Sequence, residues 1–301
     1  MSLWLIFLSV FSVAFAKQID HNVHKDPNEW TFDIEWADKK GNKQQVHFSL
    51  DAQDIKADLE EPLYFKRRPA AQYQAKAIND WAATQKGPQI KAKVRNGGVR
   101  IQGKGKNRRK VKAKMKEAKQ VGNTALNQYI AEHGYVQLKG GIAPDHITHI
   151  KDAAPELQNL VDALGGPTPN PRVFANKALS FTQSIPYEKR GRMPDKYRRP
   201  LSTLGRNKAD CDSKTVLFLA LMHQAYPDMD LAVVYISGHA FGAMGVEAQK
   251  GDVTFRAQGH KWVAVEPVGP AMMRVGKVGS KSRRSLRLRR FQVRTVQNKN
   301  G

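Results

Sequence analysis

Two early stretches alternate strictly between apolar and polar side chains. Trp30, Phe32, Ile34 and Trp36 are separated by Thr31, Asp33 and Glu35, and Val46, Phe48 and Leu50 repeat the pattern. A period of two predicts strands with one buried face. The Lys39-Lys40-Gly41-Asn42 turn between them completes a predicted hairpin. From 66 to 110 the pattern dissolves into Lys, Arg, Gly and Gln, which predicts a mobile or weakly ordered basic region. Helical spacing then runs from about 108 through Ala125, Leu126, Tyr129 and Ile130, with a bend expected near Gly122. Leu157, Leu160, Val161 and Leu164 predict another helix, stopped by Gly165-Gly166-Pro167. Pro167, Pro169 and Pro171 make a stiff connector after it.

The later pattern is more apolar. Thr215 to Met222 is almost without polar side chains and predicts a buried helix, with Asp210 as its N-cap. Leu231 to Ile236 predicts a strand. A Gly-marked break follows, and a second strand opens with His239. Gln249 to Asp252 signals a turn, residues 253–256 a short strand, and His260 to Glu266 a further strand ended by Pro267. Antiparallel pairing of the His239 strand with the one ending at Glu266 would set the imidazole beside the carboxylate.

Residues 1–16 carry no ionisable side chain, and Ala14-Phe15-Ala16 offers the small residues that a signal peptidase reads. The expectation is a cleaved leader, Lys17 as mature N-terminus, and a periplasmic or secreted chain without a transmembrane span. The apolar run is short for a span of about 20 residues.

Charge divides the 301 residues unevenly. The net value of +23 resides in residues 66–119, with 18 basic and 2 acidic groups, and in 281–294, with seven basic and none acidic. Residues 17–65 hold 6 basic and 11 acidic groups. This describes a globular unit with basic appendages, for which an anionic cell-envelope polymer is the expected contact at 66–119 and 281–294, although the Arg287-Leu288-Arg289 alternation also suits a short strand. No zinc finger and no aromatic-interleaved RNA motif is present, so sequence-specific nucleic-acid binding is not expected. The expected division is a leader 1–16, a hairpin with a basic, partly helical region 17–143, a catalytic domain 144–280 and a basic tail 281–301.

One cysteine excludes an internal disulfide and any multi-cysteine zinc site. His21-x-x-His24 and His146-x-x-His149 lack an obvious third ligand, so neither metal nor cofactor is expected. The lone Cys211 falls at the first position of the predicted buried helix, where the partial positive charge of a helix N-terminus favours a thiolate. His239 follows 28 residues later and Glu266 27 after that. Thiolate attack on a carbonyl, proton transfer by His and orientation of His by a carboxylate form a coherent set. Gln183 is a candidate oxyanion donor or helper, beside the backbone N–H of Cys211. Asp210 and Asp212 are expected to shape the helix start.

The order Gln183-Ser-Ile-Pro-Tyr187, Asp210-Cys211-Asp212-x-Lys214, Gly238-His239-Ala240 and Val265-Glu266-Pro267 resembles the transglutaminase-like superfamily of cysteine peptidases and amidases, in its bacterial exported branch. The resemblance covers roughly 174–270. Ala209 stands where members commonly have Gly, and Glu266 where Asp is frequent. The resemblance implies an α+β fold with a papain-like transglutaminase core, the Cys helix packed on an antiparallel sheet. It also implies a peptide or protein substrate and acyl transfer through a thioester from a Cys211-His239-Glu266 triad. Water or an amine can end that transfer, so cross-linking remains the alternative to hydrolysis. A non-catalytic module for anionic envelope polymers is the third reading.

Overall fold

The computed structural model describes residues 17–60, 65–188, 197–269 and 271–296. The expected leader 1–16 and most of the basic loop that follows Tyr187 lie outside the described residues. The elements in chain order are β1 (Lys17–Lys25), β2 (Glu29–Ala37), β3 (Lys43–Asp51), α1 (Ala52–Glu60), α2 (Arg67–Ala83), β4 (Gln89–Arg95), β5 (Gly98–Lys104) and α3 (Arg108–Glu132). Next come β6 (Tyr135–Leu138), β7 (Gly141–Pro144), α4 (His146–Ala153), α5 (Gln158–Ala163), α6 (Pro171–Ser184), α7 (Pro200–Arg206) and α8 (Cys211–Ala225). The chain ends with β8 (Leu231–Ile236), β9 (His239–Met244), β10 (Thr254–Ala257), β11 (His260–Val265), α9 (Ser280–Arg287) and β12 (Gln292–Thr295). The fold is mixed α+β, with antiparallel sheets.

The chain forms two compact units, one from residues 62–145 and the other from everything before and after them. The expected boundary at 143/144 lies close to the end of the inserted unit. The expectation that the hairpin belongs with the basic region is corrected. The apolar face of β2 (Trp30, Phe32, Ile34, Trp36) is buried in the same core as α6 and α8. Trp36 donates its indole N–H to Ser180 on α6 at 3.0 Å and meets Phe181 edge-on. A strand face of four large apolar residues must find a core, and the helices after residue 146 supply it.

In the larger unit the five-stranded antiparallel sheet has the order β10-β11-β9-β8-β12. Strand alternation divides its side chains between two faces. Val233, Ala240, Met244, Val263 and Val265 meet α8, whose residues 216–222 are all fully buried. That helix is apolar all round because neighbours enclose it. Phe241, Ala243, Trp262 and Ala264 face the other way, onto Val278, Leu286 and Val293. The segment expected to be a basic tail therefore supplies an edge strand, β12, and a covering helix, α9. The correction has a simple cause: Leu286 and Val293 are buried between basic neighbours whose charged ends stay in solvent.

The basic region 66–110, expected to be weakly ordered, is also structured. It supplies α2 and the β4–β5 hairpin, and α3 runs unbroken through Gly122. A Cβ at Gly122 would come within 2.7 Å of Ile78, so the glycine permits close approach of α2 and α3. Ala75, Ile78, Ala92 and Ala118 form the small core of this unit.

Candidate active site

Three short segments build the start of α8. Tyr187 bridges to Ala209, the Glu188 amide donates to the Ala209 carbonyl at 2.9 Å, and Ala209 donates back to Pro186 at 3.2 Å. This pairing fixes the chain just before the helix. Asp210 then caps it, as expected: its Oδ1 accepts from the Ser213 amide at 2.9 Å and from the Ser213 hydroxyl at 2.7 Å. Such caps contribute about 1 kcal/mol. Cys211 follows as the first helical residue, nearly fully buried. Its backbone N–H, like that of Asp212, has no acceptor within the helix.

β9 and β11 are adjacent and antiparallel, with Gly242 opposite Val265. His239 opens β9 and Glu266 follows β11, so the two meet at one end of the sheet. Nε2 of His239 lies 3.0 Å from Oε1 of Glu266, which is buried. The second carboxylate oxygen accepts the hydroxyl of Ser282 on α9 at 2.8 Å. Sequence reasoning missed Ser282 because α9 lay in the presumed tail. With Nε2 facing the carboxylate, Nδ1 is the ring nitrogen available as a base.

The thiol lies against the same strand, at the residue after His239. The Ala240 backbone contacts the sulfur of Cys211, and Thr215 bridges the carbonyls of Cys211 and Ala240 at 2.8 and 3.3 Å. The structure thus brings His239 and Glu266 into direct contact and sets Cys211 against the residue that follows His239. Among the described residues the hydrogen bond of the thiol goes to Oδ1 of Asp212, at 3.2 Å, and not to His239. This corrects two expectations. Burial pushes the thiol pKa well up, and the neighbouring Asp212 and Asp210 carboxylates push it further, so the N-terminal helix position does not prevail. Asp212 acts on the thiol rather than only shaping the helix. Its other oxygen lies 4.0 Å from Nε2 of the fully buried His146.

Gln183 is buried beside this site but has no donor left for an oxyanion. Its Nε2 donates to the carbonyls of Glu266 at 2.7 Å and Met273 at 2.9 Å, and its Oε1 accepts from the Met273 amide at 3.1 Å. Its geometry is that of a clamp on the chain carrying Glu266. Lys214, one turn along α8, is fully buried and donates to the carbonyls of Gln183 and Ile185. Burial holds its pKa down at about 7.

The paired histidines are spoken for by tyrosines. His146 Nδ1 lies 2.9 Å from the Tyr235 hydroxyl and His149 Nδ1 2.8 Å from that of Tyr197. His24 contacts Asp26 at 3.3 Å. No group of three or more His, Cys, Asp or Glu suited to a metal occurs among the described residues, and none of their helices is long and apolar enough to cross a membrane. Compared with protein-family models, with curated proteins and with solved structures, the chain matches none.

Proposed function

We propose that the protein is a transglutaminase-like cysteine hydrolase that cleaves a peptide or amide bond, exported to the periplasm or beyond. The observation that carries this reading is the His239–Glu266 contact at 3.0 Å, at the end of the strand whose next residue touches the only thiol. The core arrangement, α8 packed on an antiparallel sheet, is the one a papain-like transglutaminase fold would have. Cys211 attacks the carbonyl as thiolate, and Nδ1 of His239 takes the proton and returns it to the departing amine. Glu266 holds the ring and balances the imidazolium, while Ser282 and Gln183 hold Glu266. The N–H of Cys211, at the first helical position, serves as the oxyanion donor in this reading. Water attacking the thioester, with His239 as base, completes hydrolysis; an amine in its place gives cross-linking.

Asp212 must release the thiol first, since a carboxylate beside it opposes ionisation. Substrate entering the site is the event that would displace it. Replacement of Cys211 by Ala is expected to abolish turnover of a peptide library and labelling by iodoacetamide, with an unchanged circular dichroism spectrum. Turnover retained by Cys211→Ala excludes the mechanism. Incorporation of a labelled amine into a glutamine-bearing protein would assign the transferase branch. The raised thiol pKa also favours a second reading, a non-catalytic module that binds an anionic envelope polymer on this fold. Absence of any alkylation of the native chain at neutral pH, with salt-sensitive polymer binding, would select it.

A further inference from the structure

Among the described residues, the β4–β5 ribbon of the inserted unit displays a basic face with no acidic partner. Asn96 and Gly97, both at positive φ (51° and 74°), join the strands in a two-residue turn. One face is packed: Ala92, Ile90, Val99 and Ile101 contact the small core, and Gly103 lies so close to Val111 on α3 that a Cβ would approach to 2.7 Å. Asn79 on α2 brackets the main chain of Ala92 at 2.8 and 3.0 Å, closing that edge of β4. The opposite face carries Lys91, Lys93, Arg95, Arg100 and Lys104, all exposed. Lys93 sits directly opposite Arg100. Like charges in register oppose strand pairing, so the hairpin gains nothing from them itself. The two acidic residues of 66–119 are engaged elsewhere, Asp80 with Lys76 at 2.6 Å and Glu117 with Lys114 at 2.8 Å.

We propose that this ribbon face docks double-stranded nucleic acid through its phosphates, without reading sequence. On β4 basic residues recur at every second position, about 6.6 Å apart, with Arg100 and Lys104 on β5 about 4.8 Å across from that strand. Seated over the major groove, about 12 Å wide, the Lys and Arg side chains of such a face reach the phosphates along its rims. Single strands are held by aromatic stacking, and this face has no aromatic residue. Membrane-surface binding draws on apolar insertion, and its remaining positions are Gln89, Gln102 and Gly98. For an exported chain the partner is extracellular duplex. The claim is independent of the hydrolase reading, because none of these residues belongs to the site around Cys211.

The test is fluorescence anisotropy of the whole chain with a labelled 20-base-pair duplex, titrated from 50 to 200 mM salt. Five phosphate contacts give a slope of log affinity against log salt of about −4.5, which is roughly a 500-fold loss over that range. The variant Lys91→Gln/Lys93→Gln/Arg100→Gln is expected to bring the slope to about −2, with duplexes of different sequence bound alike. Its melting temperature should be no lower than the parent's, since charges that repel have been removed. No binding at 50 mM salt, an unchanged slope in the variant, or a tenfold preference for one sequence would overturn the proposal. So would tighter binding of phosphatidylglycerol vesicles or of a sulfated polysaccharide than of the duplex.

Discussion

Burial first, and the Asp212 carboxylate after it, hold the single cysteine protonated. Position alone, at the start of a buried helix, argues for an ionised sulfur, but the carboxylate 3.2 Å away and the surrounding apolar core argue more strongly for a protonated one. A helix terminus is worth at most about 2 kcal/mol in partly buried geometry, whereas burial shifts a pKa by up to several units. Neutralising the carboxylate removes the Coulombic opposition, so Asp212→Asn is expected to lower the thiol pKa. Each unit of that shift raises the thiolate fraction about tenfold at any pH below the pKa, and the iodoacetamide alkylation rate rises with it, though by less because a less basic thiolate is a weaker nucleophile. A rate equal to that of the parent at pH 7 to 9 would show that burial alone sets the sulfur.

At the scale of elements, the site depends on contacts between α6, α8 and the strand ends. Lys214 and Gln183 are the two clamps: the lysine ties α8 to the end of α6, and the glutamine ties α6 to the chain around Glu266. Burial of the lysine has a thermodynamic signature. Its pKa is about 7 in the folded protein and near its ordinary 10.5 when unfolded. Between those values the unfolded chain holds a proton that the folded chain has lost, so stability rises with pH across that window. The slope contributed by this one group approaches 1.4 kcal/mol per pH unit. Lys214→Met is expected to remove that part of the slope, measured as urea unfolding free energy between pH 7 and 10. An identical slope in the variant would show that the lysine is not desolvated.

For the whole molecule, the C-terminal segment is part of the larger unit. α9 carries Ser282 to Glu266, and β12 pairs along the edge of β8 from Gln292–Tyr235 to Thr295–Ala232. Removing residues 280–301 exposes Phe241 and Trp262 and strips the carboxylate of one partner. Truncation after Gly279 is therefore expected to lower the melting temperature by more than 10 °C or to prevent soluble expression. A merely basic tail would leave both unchanged, so an unaltered melting temperature would contradict this placement. The inserted unit has its own small core of Ala75, Ile78, Ala92 and Ala118, and its charge belongs to its surface.

Local pattern in the sequence was enough for the hairpin, for α8 with its Asp210 cap, and for the β8, β9 and β11 strands, because period and capping chemistry are properties of neighbours along the chain. The pairing of His239 with Glu266 was legible as well, since one antiparallel contact between two recognisable strands brings them together. What residues 66–110 become was not legible, and in 281–294 the alternation pointed to a short strand but not to a covering helix. Their apolar positions are few and lie among charges, and only packing against α3 or the sheet makes them element faces. The partners of the thiol, of Gln183 and of Glu266 were decided by tertiary structure alone. Asp212, Met273 and Ser282 act there through distance and desolvation, and neither quantity exists until the chain has folded around them.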